Sequence, residues 1–311
     1  MVFCIIGGNG FIGHALVKRL MERGIPSKDI IIVDVVKSNI NNDVKFIESN
    51  YKDAEKMKMV LPKIDYIIHL AYSTVPKTSF DNPVSDIIEN LSSLVNFLEL
   101  VKNYKNIKSI NLVSSGGTVY GNANSSIAEE FDKKPISPYG ITKLASEKYC
   151  YMYYKLSGVP IVISRPSNAY GKGQRFNAGQ GFITSAIYNI LNKKEVEIFG
   201  EKGTIRDYIY INDLVEAIIN VSMFGKLGEA YNIGTGLGYS NYEILKVISA
   251  VKAVKEGYEI KVKKLPERSF DVQYNVLNIE KIKRQMKWEP TIDINQGIKL
   301  TWDYVKCEIS K

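Results

Sequence analysis

The turn Gly7-Gly8-Asn9-Gly10-Phe11-Ile12-Gly13 constrains the fold more than any other segment of this chain. An apolar run at residues 2–6 leads into it, and a helical pattern over residues 11–23 leads out. Gly8, Gly10 and Gly13 read as GxGxxG, while Gly7, Gly10 and Gly13 read as GxxGxxG. Such spacing serves a tight turn, a close backbone approach to a pyrophosphate, and close packing of helix on sheet. The helix then offers free N–H groups and the positive end of its dipole to the phosphates. A second apolar run, residues 30–34, ends in Asp34, about 20 residues beyond the turn. A carboxylate there accepts from both ribose hydroxyls and repels a 2′-phosphate, so the turn is expected to hold NAD rather than NADP.

The first two-thirds of the chain continues this rhythm. Apolar runs at residues 2–6, 30–34, 44–47, 66–70, 107–113 and 160–164 alternate with helical patterns at 11–23, 54–61, 84–104 and 139–157. Continuous Ile/Val runs mark strands buried on both faces, and strand–helix alternation predicts a doubly wound parallel sheet, a Rossmann α/β fold. After Gly171 the rhythm breaks at Gly171-Lys172-Gly173-Gln174 and Ala178-Gly179-Gln180-Gly181. Beyond it come a helix near 182–193, a strand near 196–199, a helix near 212–224 and a strand at 230–233. At 311 residues the chain exceeds what one core usually supports. Residues 1–170 with about 207–237 are therefore expected to form the dinucleotide-binding domain. Residues from about 171 to 206 and 238 to 311 are expected to form a smaller mixed α/β substrate lobe.

Charge and composition exclude several classes. The net charge is +8, but the lysines are spread and often sit beside acids, as in Glu55-Lys56-Met57-Lys58. No clustered basic face points to nucleic acid, whereas an anionic small substrate such as a nucleotide fits the charge. Three cysteines (Cys4, Cys150, Cys307) and two histidines (His14, His69) show no metal-like spacing, so no metal is expected. That cysteine usage fits a reducing, cytoplasmic compartment. No run of about 18 apolar residues is present, so no membrane span is expected. The run at 2–6 lacks the basic flank and cleavage site of a leader.

Tyr139-Gly140-Ile141-Thr142-Lys143 opens a helix after Pro138. Residues four apart share a helical face. An ammonium beside a phenol favours the phenolate and is expected to draw the tyrosine down toward the range useful in acid/base chemistry on an alcohol or ketone.

Taken together, these residues resemble the extended short-chain dehydrogenase/reductases, most closely the UDP-glucose 4-epimerase group. The resemblance rests on the glycine turn, Ser114-Ser115-Gly116-Gly117-Thr118-Val119-Tyr120-Gly121, Tyr139-x-x-x-Lys143, Arg165-Pro166-Ser167-Asn168-Ala169-Tyr170-Gly171, Arg206-Asp207-Tyr208-Ile209 and Tyr231-Asn232-Ile233-Gly234-Thr235-Gly236, all in family order. It implies that Tyr139 is the acid/base at the sugar O4, with Lys143 lowering its pKa and holding the nicotinamide ribose. It implies NAD contacts from Gly7, Gly10, Phe11, Ile12 and Gly13, and from Asp34, Val35, Lys37, Ser38 and Asn39. Further implied NAD contacts are Asn50 and Tyr51 near the adenine, Leu70, Ala71, Tyr72 and Thr74 on the nicotinamide side, and Asn90, Ser114 and Ser167. For a nucleotide sugar, with UDP favoured, it implies Asn168, Gln180, Glu197, Ile198, Phe199, Arg206, Arg268 and Asn275. Arg206 and Arg268 suit a pyrophosphate, because a guanidinium matches phosphate oxygens two at a time.

Three departures from the family pattern sharpen the reading. Asn50 stands where an Asp is usual, and its carbonyl oxygen still accepts from the adenine amino group. Gly116 stands where the family carries a Ser or Thr that touches the substrate. If the segment is extended, residues 116 and 118 share a face, and Thr118 supplies the hydroxyl while Ser115 points away. Finally, Gly116-Gly117-Thr118 lacks the Asp-Glu pair of the related 4,6-dehydratases. Asn275, smaller than the tyrosine that limits space at the sugar C2, leaves room for an N-acetyl group.

The expected activity is a nucleotide-sugar 4-epimerase acting on UDP-glucose/UDP-galactose or the N-acetyl pair. The alternatives are an NAD(P)H-dependent reductase of a 4-keto-6-deoxy sugar nucleotide, and a non-catalytic NAD-binding protein of the same fold. The resemblance also implies a homodimer through two long helices per subunit, with Leu91, Leu94, Leu98 and Val101 as one apolar stripe and Tyr149, Met152 and Tyr153 as the other.

Overall fold

The computed structural model describes residues 1–37, 43–176, 181–253, 257–268 and 271–310. Ser38, Asn39 and Gln180, all candidate contacts, lie outside the described residues. In chain order the strands are β1 (Phe3–Ile6), β2 (Ile30–Asp34), β3 (Lys45–Glu48), β4 (Tyr66–His69), β5 (Ser109–Val113), β6 (Ile161–Pro166) and β7 (Asn168–Tyr170). They are followed by β8 (Val196–Phe199), β9 (Ile205–Tyr210), β10 (Ala230–Ile233), β11 (Gly238–Ser240), β12 (Val262–Leu265) and β13 (Tyr274–Asn275).

Seven of them form one sheet in the order β10-β6-β5-β4-β1-β2-β3, every pair parallel. The doubly wound α/β class follows. The continuous apolar runs are explained by a core on each face. Phe3, Ile5, Ile30, Ile32 and Ile68 pack to one side with Leu16, Leu20 and the helix Ile211–Phe224. Cys4, Ile6, Ile31, Val33 and Ile67 pack to the other with Leu94, Phe97, Leu98 and Cys150. Strand order reverses between β1 and β4, and ligands of such sheets bind in the crevice outside the carboxyl ends at that reversal.

Two helices that frame the crevice differ in detail from their sequence patterns. The pattern over 84–104 is a short helix, Pro83–Asp86, a π-helical segment, Ile87–Ser92, and a helix, Ser93–Val101. It starts one residue early because Asn82 caps it, accepting from Ser85 N at 2.9 Å, with proline in the first turn. The second helix, Pro138–Ser157, is capped by Ser137, which accepts from Gly140 N at 3.1 Å, and ends at Gly158 in the left-handed conformation (φ 67°).

Past Gly171, β9 is the centre of a separate small sheet, paired with β7 and β13 in parallel and β11 antiparallel. β8 and β12 form a parallel ribbon. Asp207 in β9 ties this sheet to the main one, accepting from Thr235 N (2.9 Å), Thr235 Oγ1 (2.8 Å) and Gly236 N (3.1 Å) just after β10. A buried ion pair joins the long helix to β6: Arg165 Nη2 donates to Glu147 Oε2 at 2.6 Å, and Nη1 to Tyr120 Oη at 2.8 Å.

Candidate active site

The glycine turn sits at the carboxyl end of β1, where Gly7 and Gly13 are each needed for their own reason. Gly7 has φ 81°, and a Cβ there would lie 2.7 Å from Ala71 N, in the loop after β4. A Cβ on Gly13 would collide with the Gly8 carbonyl, so the helix Phe11–Glu22 lies directly against the turn. Around Gly10 the space is open: a Cβ would meet only Gly7 O, at 3.5 Å. The helix has no side-chain cap at Gly10. An uncapped N-terminus facing open space is what a pyrophosphate requires. Asp34, at the end of β2, accepts from Asn9 N at 2.9 Å and Val36 N at 3.1 Å, which places its carboxylate at the rim of the turn.

Around this mouth, the expected NAD-side residues divide into two groups. Leu70 and Ala71 are held close, both backbone N–H groups donating to Ile6 O at 2.8 and 3.1 Å. Asn90 is buried in the π-helical segment and accepts from Ser73 N (2.9 Å) and Ser73 Oγ (3.1 Å). Val35, Lys37 and Asn50 are exposed at the outer edge, while Tyr51 is buried edge-on against His69. Burial pushes the His69 imidazole down to about 3, with the Lys143 charge adding to it, so His69 is neutral.

Tyr139 and Lys143 lie on one face of Pro138–Ser157 and do not stand alone. The Tyr139 and Tyr72 rings meet edge-on with centroids 4.9 Å apart. The Lys143 Nζ lies 3.9 Å from the Tyr72 centroid, 5.7 Å from that of Tyr139, and donates to Val113 O at 3.0 Å. Burial lowers the lysine to about 7 against the opposing pull of Glu147 and Asp86. The phenol of Tyr139 is raised, first by burial and then by the Asp86 charge. The depression expected from Lys143 is therefore not what this packing produces: desolvation is the largest effect on both groups.

The segment after β5 corrects a second expectation. Residues 115–119 are a turn, not an extended strand: Thr118 N and Val119 N both donate to Ser115 O, at 3.4 and 3.2 Å. The alternation argument for Thr118 thus loses its premise. Nor is Gly116 an empty hydroxyl position. A Cβ there would lie 2.6 Å from Leu277 Cδ1 and 2.9 Å from Arg165 O. The Thr118 hydroxyl is nevertheless buried with no hydrogen bond among the described residues, as are those of Ser114 and Ser167. Ser115 Oγ and Asn168 Oδ1 both lie near Gly117, 3.8 and 3.2 Å from where its Cβ would be. Asn275 is buried and donates to Gly116 O at 3.0 Å, so it pins the turn from behind. These bare polar atoms gather where a bound dinucleotide and an alcohol substrate would supply partners.

On the lobe side, Arg268 stacks its guanidinium 3.8 Å from the Phe199 ring centroid and donates to Asp271 at 2.8 Å. Arg206, on β9, donates to Ile205 O at 3.0 Å. Its pKa is lowered by burial, and the Arg268 charge adds to that. Two neighbouring guanidiniums could match the oxygens of an anion such as a diphosphate. Of the residues on β8, Glu197 is exposed, Phe199 is half-buried and the Ile198 side chain is in the core. Asp86 escaped the sequence reading. It is fully buried, accepts from Thr74 Oγ1, and accepts from Asn90 Nδ2 at 3.1 Å. Among the described residues no group of three or more His, Cys, Asp or Glu is placed to hold a metal, and no helix is long and apolar enough to cross a membrane.

Comparison with known proteins gives the same picture from outside. Residues 3–234 match the family described as NAD dependent epimerase/dehydratase family. A Methanocaldococcus jannaschii protein with the provisional name UDP-glucose 4-epimerase is 32% identical over 308 residues, covering 97% of each chain. An Escherichia coli dTDP-4-dehydro-6-deoxyglucose reductase is 32% identical, covering 98% of this chain and 97% of its own. Among solved structures, the Thermotoga maritima UDP-glucose 4-epimerase with UDP-glucose superposes with a TM-score of 0.90 at 29% identity, covering 99% of this chain and all of that one.

Proposed function

The chain belongs to the NAD dependent epimerase/dehydratase family, and on that premise we propose that it is a nucleotide-sugar 4-epimerase. Its substrate would be a UDP-hexose or UDP-N-acetylhexosamine pair. NAD is the cofactor of the family, and the open, uncapped glycine turn with Asp34 at its rim fits that group. The observation that carries the choice of reaction is the turn at 115–119, which contains Gly116-Gly117-Thr118 and no carboxylate. Water elimination, as in the dehydratases, needs an acid there; epimerisation needs only proton transfer at O4.

Bound at the turn, NAD would supply hydride acceptance from the sugar C4 and its return to the opposite face. The protein's part is to move one proton and hold the substrate. As the phenolate, Tyr139 would take the O4 proton as the carbonyl forms and give it back as the alcohol re-forms; with the hydride returned as well, each cycle is redox-neutral. Lys143 holds the tyrosine's electrostatics and the nicotinamide ribose. Thr118 donates to O4, Asn168 contacts the sugar nucleotide, and Arg206 with Arg268 clamp the diphosphate. We assign residues 1–170 and about 207–237 to the NAD side, and the remainder to the nucleotide sugar, following the fold's usual division.

The test is to incubate purified protein, without added coenzyme, with UDP-, GDP- and dTDP-hexoses and follow products by NMR. Formation of the C4 epimer supports the reading. A second reading, reduction of a 4-keto-6-deoxy sugar nucleotide, is favoured by the full-length similarity to the Escherichia coli reductase. Turnover of such a ketone only when NADH or NADPH is added would replace the first reading with the second. NAD binding with no turnover of any sugar would leave a binding protein.

A further inference from the structure

We propose that Asn275 is a positioning residue for the 115–119 turn. From the strand registered beside Arg206 it holds the Gly116 carbonyl, and so fixes where Thr118 stands relative to the arginines of the lobe. The link is one hydrogen bond, from Asn275 Nδ2 to Gly116 O at 3.0 Å, across 159 residues of chain. Asn275 is only 1% exposed, so water does not replace that bond when it is lost. Its strand end is firmly set. Asn275 pairs with Arg206 in parallel register, and Ile205 N donates to Gln273 O at 2.9 Å. The same segment is held by the loop that follows the turn: Gln273 N donates to Asn122 Oδ1 at 2.9 Å, Ile127 N to Val276 O at 2.9 Å, and Asn278 N to Ile127 O at 2.8 Å. Asn232 Nδ2, on β10, donates to Asn278 O at 3.2 Å. Residues 273–278 are thus a strap tied both to the small sheet and to the main one.

The turn needs such an anchor. Its start is fixed to β6, where Gly116 N donates to Pro166 O at 2.8 Å. Beyond that point the bonds are long, with Thr118 N and Val119 N sharing Ser115 O at 3.4 and 3.2 Å. Two successive glycines, Gly116 and Gly117, leave the backbone more freedom than any other pair would. Holding the Gly116 carbonyl restricts the peptide that leads to Gly117 and Thr118. The strap reaches this carbonyl because position 116 carries no side chain. A Cβ on Gly116 would lie 2.6 Å from Leu277 Cδ1, two residues along the strap from Asn275. The glycine at 116 and the amide at 275 are two halves of one contact: the first makes room for the strap, and the second uses that room to hold the turn. The Thr118 hydroxyl, buried with no hydrogen bond among the described residues, is the group whose place this contact sets.

The inference rests on Thr118 acting at the sugar O4, as in the proposed epimerase, but its first readout needs no turnover. Amide hydrogen exchange is followed by NMR in the ligand-free protein. Asn275→Ala should speed exchange at Thr118 and Val119 by about tenfold or more relative to Ile5 and Ile32 in the main sheet. Asn275→Asp, which keeps the shape but sets an oxygen against the Gly116 carbonyl, should do the same, and whichever of the two folds decides the matter. With UDP-glucose as probe, kcat should fall about tenfold or more while KM stays within about threefold. In a Thr118→Ala background, Asn275→Ala should cost less than about a further twofold in kcat, because it acts only through Thr118. Unchanged exchange at Thr118 and Val119, or the same loss of kcat in both backgrounds, overturns the proposal. Faster exchange in a protein that turns over no sugar refutes the epimerase reading and leaves the hold of Asn275 on the turn standing.

Discussion

Lys143 sits over Tyr72, its Nζ 3.9 Å from the ring centroid. A cation on a ring face gains electrostatic energy once desolvated, yet burial still brings this ammonium down to about 7. That has a consequence for stability. The folded-state pKa lies below that of an unfolded lysine, so the unfolded chain binds more protons between about pH 7 and 10, and folding stability rises with pH across that window. Lys143→Met removes the titration. Wild type should gain about 3 kcal/mol relative to the variant between pH 6 and pH 9. Urea denaturation of both proteins at the two pH values measures it, and a difference that does not change with pH would show that Lys143 is not depressed. The same variant should lose nearly all turnover.

Thr118 and Ser115 separate cleanly by substitution. The Thr118 hydroxyl is buried without a hydrogen bond among the described residues, whereas Ser115 sits beside Gly117 and Asn168. Thr118→Ala should lower kcat by roughly 100-fold or more, the usual cost of one well-placed donor, while Ser115→Ala should stay within about fivefold. Steady-state kinetics on the UDP-sugar pair decides it, and the reverse ranking would move the role to Ser115.

The legible and illegible parts of this chain divide on physical grounds. Ile30–Asp34 was found to the residue, because a strand buried on both faces is a run of apolar side chains bounded by polar ones; Val196–Phe199 and Ala230–Ile233 matched as well, although each carries one polar residue. The small sheet was invisible. β7 has three residues and β13 two, and each is a strand only because β9 lies beside it. The helices Asn241–Ile248 and Ile294–Ile309 carried readable starts, Ser240 with Glu243 and Asp293 with Gln296, that went unused. At the site, the glycine turn was plain, but the path after β5 was not, since Gly116-Gly117 lets the backbone turn where alternation assumed extension. Asp86 was detectable in principle. It lies four residues before Asn90 and eight before Leu94, a carboxylate on a stripe that is otherwise buried.

Association is expected through a face different from the sequence pattern. Leu94, Leu98 and Val101 are consumed by the core, and Tyr153 is buried against Glu99. The exposed apolar side chains of the two helices include Val84, Ile87 and Ile88 on one, and Ile141, Tyr149, Tyr151, Met152 and Leu156 on the other. Exposed apolar side chains on two neighbouring helices suit an interface, and we propose a homodimer joined there. Light scattering should give twice the chain mass for wild type and the chain mass for Ile88→Asp/Met152→Asp. A wild-type monomer at micromolar concentration would remove the proposal.

The sharpest test of the 115–119 turn is the substitution that seems to restore the family pattern. Gly116→Ser puts a hydroxyl at the place where the family pattern has one. The structure predicts a loss. The new Cβ would meet Leu277 Cδ1 at 2.6 Å, Arg165 O at 2.9 Å and Pro166 O at 3.1 Å. Leu277 can shift, but the two carbonyls belong to β6, and Gly116 N already donates to Pro166 O at 2.8 Å. The strain should cost about 1–3 kcal/mol, the range for overpacking a filled site. It should also displace Gly116 O from Asn275, which holds it at 3.0 Å. Urea denaturation and kcat are expected to fall together, and Leu277→Ala in the same chain should recover only part of either. Full stability with raised kcat would mean that the backbone can return to an extended path and that the hydroxyl belongs at position 116 after all.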